Sequence, residues 1–335
     1  MSPNIRYIVL VLTTACNLRC AYCYRGECKP ESMAREVAAE ALKLAAESGR
    51  AFHIQMTGGE PTLEPEIIEW IASTIRKEGW HATVGLQTNG TLIDRSLARV
   101  AKRYDIQIGV SLDGPVEIQE ELRGEAVSTF KGLKILAEEE ALFRVTTVVT
   151  ERNVAYLGKL ALILGGFANA GGLGLDILIR KGRASKTDMV TPPSSDALRE
   201  GLRELVKVFR RINSSRPQAI KLRELELLKR VCRIRKAIPF CHASRGESIA
   251  VCPDGSLYPC GQTVGDPDFY AGTIESPDVS RLSDLSSHVL EDTTCFGCPL
   301  IGYCPGDCPS RVYYSDEAGR RLACVMYRTL WEEAL

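Results

Sequence analysis

The feature that most restricts this chain is a regular alternation of two periods across residues 5–180. Apolar, β-rich runs stand at Ile5–Leu12, Phe52–Met56, Thr83–Leu86, Ile106–Val110, Phe143–Val149 and Leu175–Ile179. Between them apolar residues recur at three- and four-residue steps, as at Val37, Ala41, Leu44 and Ala45, or at Ile67, Ile68, Ile71 and Ile75. That spacing is the stripe of an amphipathic helix. Strands separated by helices pair in parallel, because each crossover needs a helix to return the chain to the same end of the sheet. The layout predicts either a doubly wound sheet or an incomplete TIM-type barrel. In both, chemistry gathers at the carboxyl ends of the strands.

The unusual residues sit where that rule puts them. Thr13–Cys16 follows the first run, Gly58–Gly59–Glu60–Pro61 the second, Thr88–Asn89–Gly90 the third, Ser111–Leu112–Asp113–Gly114 the fourth, and Arg180–Arg183 the sixth. These loops are expected to open on one face. Pro192–Pro193–Ser194–Ser195 then breaks the chain and offers a helix cap. Leu198, Leu202, Leu205, Phe209 and Ile212 continue as an amphipathic helix. From Arg199 to Lys236 there are thirteen Lys or Arg against four Glu, which suits a solvated helix face or a docking surface for an acidic peptide or protein. After about residue 237 periodicity fades into a Cys-, Gly- and Pro-rich tail with one hairpin signal, Ile249–Val251, Pro253–Asp254–Gly255, Leu257–Tyr258. A tail of this kind is expected to need metal to hold its fold. The reading divides the chain into 1–190, a basic helical linker 191–236, and 237–335.

Charge excludes more than it proposes. Lys and Arg number 42, as do Asp and Glu, so the balance points to neither nucleic acid nor a membrane. There is no secretory signal and no apolar stretch near the about 20 residues of a membrane span; a cytoplasmic protein is expected. The 13 cysteines are odd in number, which argues against a disulfide framework in such a chain. Four lie between Cys16 and Cys28 and nine between Cys232 and Cys324. Two clusters flanking a cysteine-free core read as metal sites on a scaffold. Cys28 and Cys232, outside any regular spacing, read as small buried apolar residues.

The first cluster, Cys16-x3-Cys20-x2-Cys23, places three thiolates in one loop. Structural zinc and ordinary iron–sulfur clusters take four ligands. Either a distant cysteine completes a zinc site, or a cubane keeps one iron open. Followed by Tyr24 and joined to Gly58–Gly59–Glu60–Pro61, the motif resembles that of the radical S-adenosylmethionine (SAM) enzymes over residues 5 to about 185. The resemblance implies a partial six-stranded (β/α) barrel. It also implies a 4Fe–4S cluster on Cys16, Cys20 and Cys23 whose open iron is chelated by the methionine part of SAM. The loop Gly58, Gly59, Glu60 and Pro61 would bind the cofactor's amino group, and Ser111 and Asp113 its ribose and carboxylate. Arg123 would bind the carboxylate too, a bidentate role that suits a guanidinium. Tyr22 and Ile179 would flank the adenine, and Asn89 joins the cofactor contacts. Reductive cleavage would give a 5′-deoxyadenosyl radical that abstracts hydrogen from a substrate C–H bond.

The second cluster, Cys241-x13-Gly255-x4-Cys260, then Cys295-x2-Cys298-x5-Cys304-x3-Cys308 and Cys324, resembles the SPASM extension of radical enzymes that modify peptides and proteins. By that resemblance Cys295, Cys298, Cys304 and Cys324 hold one auxiliary iron–sulfur cluster, and Cys241, Cys260 and Cys308 the other. The fourth ligand of the latter is expected from Cys252, with Cys232 second and an open iron third; a zinc ribbon is the plain alternative. The family likeness implies a peptide or protein substrate, as for ribosomal-peptide maturases, and a flavodoxin or ferredoxin reductant in an anaerobic cytoplasm. Gly261 stands where the sulfatase-maturating group usually has Asp, which weakens that likeness. With Cys16 so near the first residue no leader-binding module is expected ahead of it, so a separate recognition protein or the basic 199–236 segment would present the peptide, or the substrate is not a leader peptide. Alternatives are a small-molecule cofactor-biosynthesis or dehydrogenating radical enzyme and an iron–sulfur electron-transfer or redox-sensing protein. No acid or base is assigned; Tyr303, His242, Asp307 and Asp113 are polar candidates.

Overall fold

A computed structural model describes residues 4–288 and 295–334. The strands are β1 (Tyr7–Val11), β2 (Phe52–Thr57), β3 (Ala82–Thr88), β4 (Ile106–Ser111), β5 (Phe143–Val149), β6 (Ala170–Ile177), β7 (Lys221–Leu222), β8 (Ser248–Val251) and β9 (Leu257–Tyr258). The helices are α1 (Arg35–Ala46), α2 (Pro65–Glu78), α3 (Arg95–Tyr104), α4 (Val116–Leu122), α5 (Ala126–Glu138), α6 (Leu157–Gly165), α7 (Ser195–Asn213), α8 (Arg223–Ile234), α9 (Pro309–Tyr314) and α10 (Glu317–Ala334). One nine-stranded sheet runs β7-β6-β5-β4-β3-β2-β1-β8-β9. Neighbours are parallel except β8 and β9, which form the expected antiparallel hairpin. It is an open, partial (β/α) barrel, so the barrel alternative is the one realised.

The register of apolar residues explains the layering. On β2, Phe52, Ile54 and Met56 are buried and join a core with Ile67, Ile68, Ile71 and Ile75 of α2 and Ala38, Ala41 and Leu42 of α1. Each Ile, Leu, Met or Phe of this set contributes about 1.5–3 kcal/mol by leaving water. The alternate residues, His53, Gln55 and Thr57, are half-buried on the inner face. Helix starts follow local chemistry: the Asp94 carboxylate accepts from Leu97 N (2.8 Å) and the Ser194 hydroxyl from Ala197 N (3.2 Å), relieving unpaired first-turn donors.

Two expectations are corrected. β6 begins at Ala170 rather than Leu175. The run Ala170–Gly171–Gly172 lacks β-branched residues, but its glycines admit β7 and α8: a Cβ on Gly172 would stand 3.0 Å from Lys221 O, and one on Gly174 3.0 Å from the Arg223 guanidinium. The tail beyond residue 237 is also more regular than its fading periodicity suggests. β8 pairs with β1 inside the main sheet, and helical periodicity returns in α10, which buries Leu322, Ala323, Met326, Tyr327 and Leu330. The basic segment spends part of its charge internally: Arg203 pairs with Glu333 of α10 (3.1 Å), Lys207 with Glu204 and Lys229 with Glu226. No helix of the structure is long and apolar enough to cross a membrane.

Candidate active site and metal centres

The loops after the strands do meet at one end. The two glycines after β2 let the first cysteine loop press onto them: Gly59 N donates to Thr13 O (2.7 Å) and Glu60 N to Ala15 O (2.8 Å). A Cβ on Gly59 would stand 2.1 Å from Ala15 O, and one on Gly58 2.5 Å from Thr13 O, so only glycine fits. Pro61 starts a short 3-10 turn, Pro61–Leu63. The Glu60 carboxylate, 1% exposed, accepts from Thr62 N, Thr62 Oγ1, Thr88 Oγ1 and Asn89 N at 2.6–3.1 Å. Three of these fall on Oε1, leaving only Oε2 with capacity to spare. Burial pushes the Glu60 carboxyl up, against the pull of Thr62, Thr88 and Asn89. Asn89 donates to Asn17 Oδ1 (2.9 Å), tying the strand-three loop to the cysteine loop. From the sixth loop, Arg183 donates its backbone N–H to Cys23 O (2.9 Å) and its guanidinium to Cys20 O (3.2 Å).

Asp113, Arg123 and Tyr22, expected at separate parts of the cofactor, bond to one another. Asp113 is buried and accepts from Arg123 Nε (2.8 Å), Val148 N (3.0 Å), Thr147 Oγ1 (3.2 Å) and the Tyr22 hydroxyl. The guanidinium carbon of Arg123 also lies 5.2 Å from the Tyr22 ring centre, a cation–π distance. The Tyr22 ring packs with Ile118, Leu122 and Leu178, and Ile179 is buried beyond β6. Ser111 stands on the inner face and accepts from Gln87 Nε2 (3.0 Å).

That inner face is polar, and sequence reasoning passed it by. Tyr7 stacks on His53 at 4.9 Å, and His53 Nδ1 lies 2.8 Å from Thr83 Oγ1. Gly85 and Gly109 keep the wall low: a Cβ on Gly109 would stand 2.4 Å from Gln87 Oε1. Arg223 spans Asp176 (2.7 Å), Leu175 O (2.7 Å) and Glu224 (2.7 Å). The polar alternation at His53, Gln55, Gln87, Ser111 and Thr146 was the available signal. The other polar candidates are held: His242 by Glu247 (3.2 Å), Asp307 by Arg311, and the Tyr303 hydroxyl by Pro299 O (2.7 Å).

Ten of the thirteen cysteines fall into three groups. Burial pushes Cys20 up to about 11; Arg123 opposes this, and Cys23, Asp113 and Cys16 add to it. Burial pushes Cys260 up to about 12, with Cys308 and Cys241 adding. Burial pushes Cys304 up to about 11, with Cys324, Cys298 and Cys295 adding; Arg328 is hydrogen-bonded to Cys298 and feels Cys324 and Cys295. Within each group the cysteines lie near enough to raise one another, and ligation to a metal requires the deprotonated form. Backbone N–H groups already point at sulfur: Leu18 N at Cys16 (3.4 Å), Gln262 N at Cys260 (3.5 Å) and Gly306 N at Cys304 (3.4 Å). Among the described residues no His, Cys, Asp or Glu group of three closes on a single metal ion. Thiolates are the donors that an iron–sulfur cluster takes.

Cys252 follows β8, and Cys260 caps the short 3-10 turn after β9. Burial pushes its thiol up to about 12, and its charged neighbours are Arg25, Asp254, Cys28 and Glu31. Cys232 lies on α8 against the main core.

Residues 10–151 match the Radical SAM superfamily. The chain carries a radical SAM domain. Such a domain works with SAM and a 4Fe–4S cluster, which supply reductive cleavage when bound. Over 79% of its length the chain is 27% identical to an uncharacterized protein of Methanocaldococcus jannaschii, covering 88% of it. Over 96% it is 27% identical to the antilisterial bacteriocin subtilosin biosynthesis protein AlbA of Bacillus subtilis, covering 71% of that protein. Over 44% it is 32% identical to Fe-coproporphyrin III synthase of Methanosarcina barkeri, covering 38% of it. The radical SAM domain and tail together share their fold with native anSMEcpe with bound AdoMet, at TM-score 0.77 and 23% identity over 98% of this chain and 96% of that one. Streptococcus suis SuiB bound to S-adenosylmethionine follows at TM-score 0.69 and 15% identity, over 94% and 76%.

Proposed function

We propose that this protein cleaves SAM reductively at the loop Cys16, Cys20 and Cys23 and uses the resulting radical to abstract hydrogen from a ribosomal peptide or protein. One observation carries the reading: five strand-end loops are knitted into a single mouth around a three-thiol loop, with the Asp113–Arg123–Tyr22 group beside it. Gly58, Gly59, Glu60 and Pro61 shape the cofactor cradle, with Asn89 bracing it. Oε2 of Glu60 and the unused edge of Arg123 face the cofactor's amino and carboxylate groups, Ser111 its ribose, and Ile179 its adenine. Cys241, Cys260 and Cys308 hold one auxiliary cluster and Cys295, Cys298, Cys304 and Cys324 the other. The electron donor is a flavodoxin or ferredoxin of an anaerobic cytoplasm.

The peptide substrate draws its support from the reach of the AlbA match, 96% of this chain, which includes the cysteine-rich tail. The match to Fe-coproporphyrin III synthase covers 44% and favours a second reading, a tetrapyrrole-type small molecule, for the barrel alone. The deciding experiment is anaerobic. Reconstituted protein is given dithionite and SAM, and compared with a Cys16→Ala/Cys20→Ala/Cys23→Ala variant. The expected outcome is 5′-deoxyadenosine from the wild type only, with the variant keeping two clusters' worth of iron. Fully loaded wild type that forms none overturns the reading. Hydrogen–deuterium exchange then separates the substrates: a peptide protects the outer mouth, whereas a small molecule does not.

A further inference from the structure

Two of the three cysteines Cys241, Cys260 and Cys308 meet Gln262. Its backbone N–H points at Cys260 Sγ (3.5 Å). Its side-chain amide lies 3.6 Å from Cys308 Sγ and is bonded to the Ser310 hydroxyl. Ser310, fully buried, holds its own Oγ 3.1 Å from the same sulfur. The Gln262 carbonyl is fixed by Lys181 Nζ at 2.6 Å, and the Thr263 hydroxyl, 2.8 Å from Cys260 O, closes the turn. One residue therefore clamps two of the three sulfurs and ties them to the loop after β6.

The chemistry of the sulfur sets the direction of these bonds. A free Cys308 thiol donates to the amide oxygen, but a thiolate on iron can only accept. The amide oxygen and nitrogen are interchangeable in shape, so Gln262 presents its NH2, and the Ser310 hydroxyl turns in the same way. At 3.6 Å the amide sits in the hydrogen-bond shell of Cys308 itself, not at another corner of a cubane. Hydrogen bonds to cluster sulfurs stabilise the more negative, reduced state.

We propose that Gln262 and Ser310 form a neutral donor pair that holds the Cys308 thiolate and raises the reduction potential of the cluster on Cys241, Cys260 and Cys308. This rests on those three cysteines holding an auxiliary cluster. A raised potential suits a cluster that accepts an electron rather than one that supplies it.

The test is an EPR-monitored redox titration of reconstituted full-length protein in the Cys16→Ala/Cys20→Ala/Cys23→Ala background, where only auxiliary signals remain. Ser310→Ala and Gln262→Met, which remove the O–H and N–H donors, are each expected to shift one auxiliary midpoint downward and leave the other in place. Gln262→Glu, which sets a negative charge by the sulfur, is expected to shift it further. Unmoved midpoints in both Ser310→Ala and Gln262→Met overturn the proposal. Should Gln262→Met release iron, Ser310→Ala decides alone. A Cys241→Ala/Cys260→Ala/Cys308→Ala variant that keeps all its iron would instead sink the underlying ligand assignment.

Discussion

At the scale of single residues, the mouth is governed by buried charge and by space. Asp113 has no water to fall back on, so Arg123→Met would leave a buried carboxylate unpaired. That is expected to cost about 3–5 kcal/mol, read as a lower midpoint in chemical denaturation, with Arg123→Lys recovering part of it. Gly59→Ala acts through the clash with Ala15 O, pushing the cysteine loop outward. The expected result is loss of one cluster's iron and of 5′-deoxyadenosine formation, with the far-UV circular dichroism unchanged. The cysteines and the Gly58–Pro61 run were legible because their spacing is itself the signal. The bonding of Tyr22, Asp113 and Arg123 to each other was not, since their partners Thr147 and Val148 come from β5.

At the scale of elements, contacts between remote segments decide stability. Lys181, in the loop after β6, donates to the carbonyls of Gln262 (2.6 Å) and Val264 (3.0 Å). Burial lowers its pKa from an ordinary 10.5 to about 8, with Asp266 and Cys260 opposing. Between pH 8 and 10.5 the unfolded chain binds a proton here that the folded chain does not. Stability from this group therefore rises with pH across that window and is lost as pH falls toward 8. Lys181→Met is expected to flatten that slope in urea midpoints taken at several pH values. On α10, two neighbours should behave oppositely. Leu330→Ala, in the fully buried contact with α7, is expected to cost about 2–5 kcal/mol. Tyr327→Phe should be neutral or slightly stabilising in thermal melts, because the Tyr327 hydroxyl is buried without a hydrogen-bond partner among the described residues. The long helices were readable from periodicity and the Ser194 cap. The start of β6 was not, because glycine carries no strand signal and what crowds it comes from β7 and α8, some fifty residues later.

At the scale of the whole molecule, barrel and tail share one sheet, so metal does not carry the fold alone. Removing iron by anaerobic chelation is expected to leave the far-UV spectrum and a cooperative melt largely intact. A collapse of helical signal on chelation would contradict this. From sequence, the tail looked like a metal-held appendage; the pairing of β1 with β8 joins segments too far apart for any local pattern to announce. That pairing also bears on how the protein is made. β1 is synthesised long before β8, finds β2 early, and then shows a bare, apolar strand edge until Ser248–Val251 has been made. Open edges of this kind recruit other chains. The nascent protein thus passes through a long window in which its first strand is a liability, and a chaperone guarding that edge would matter more to yield than any later step.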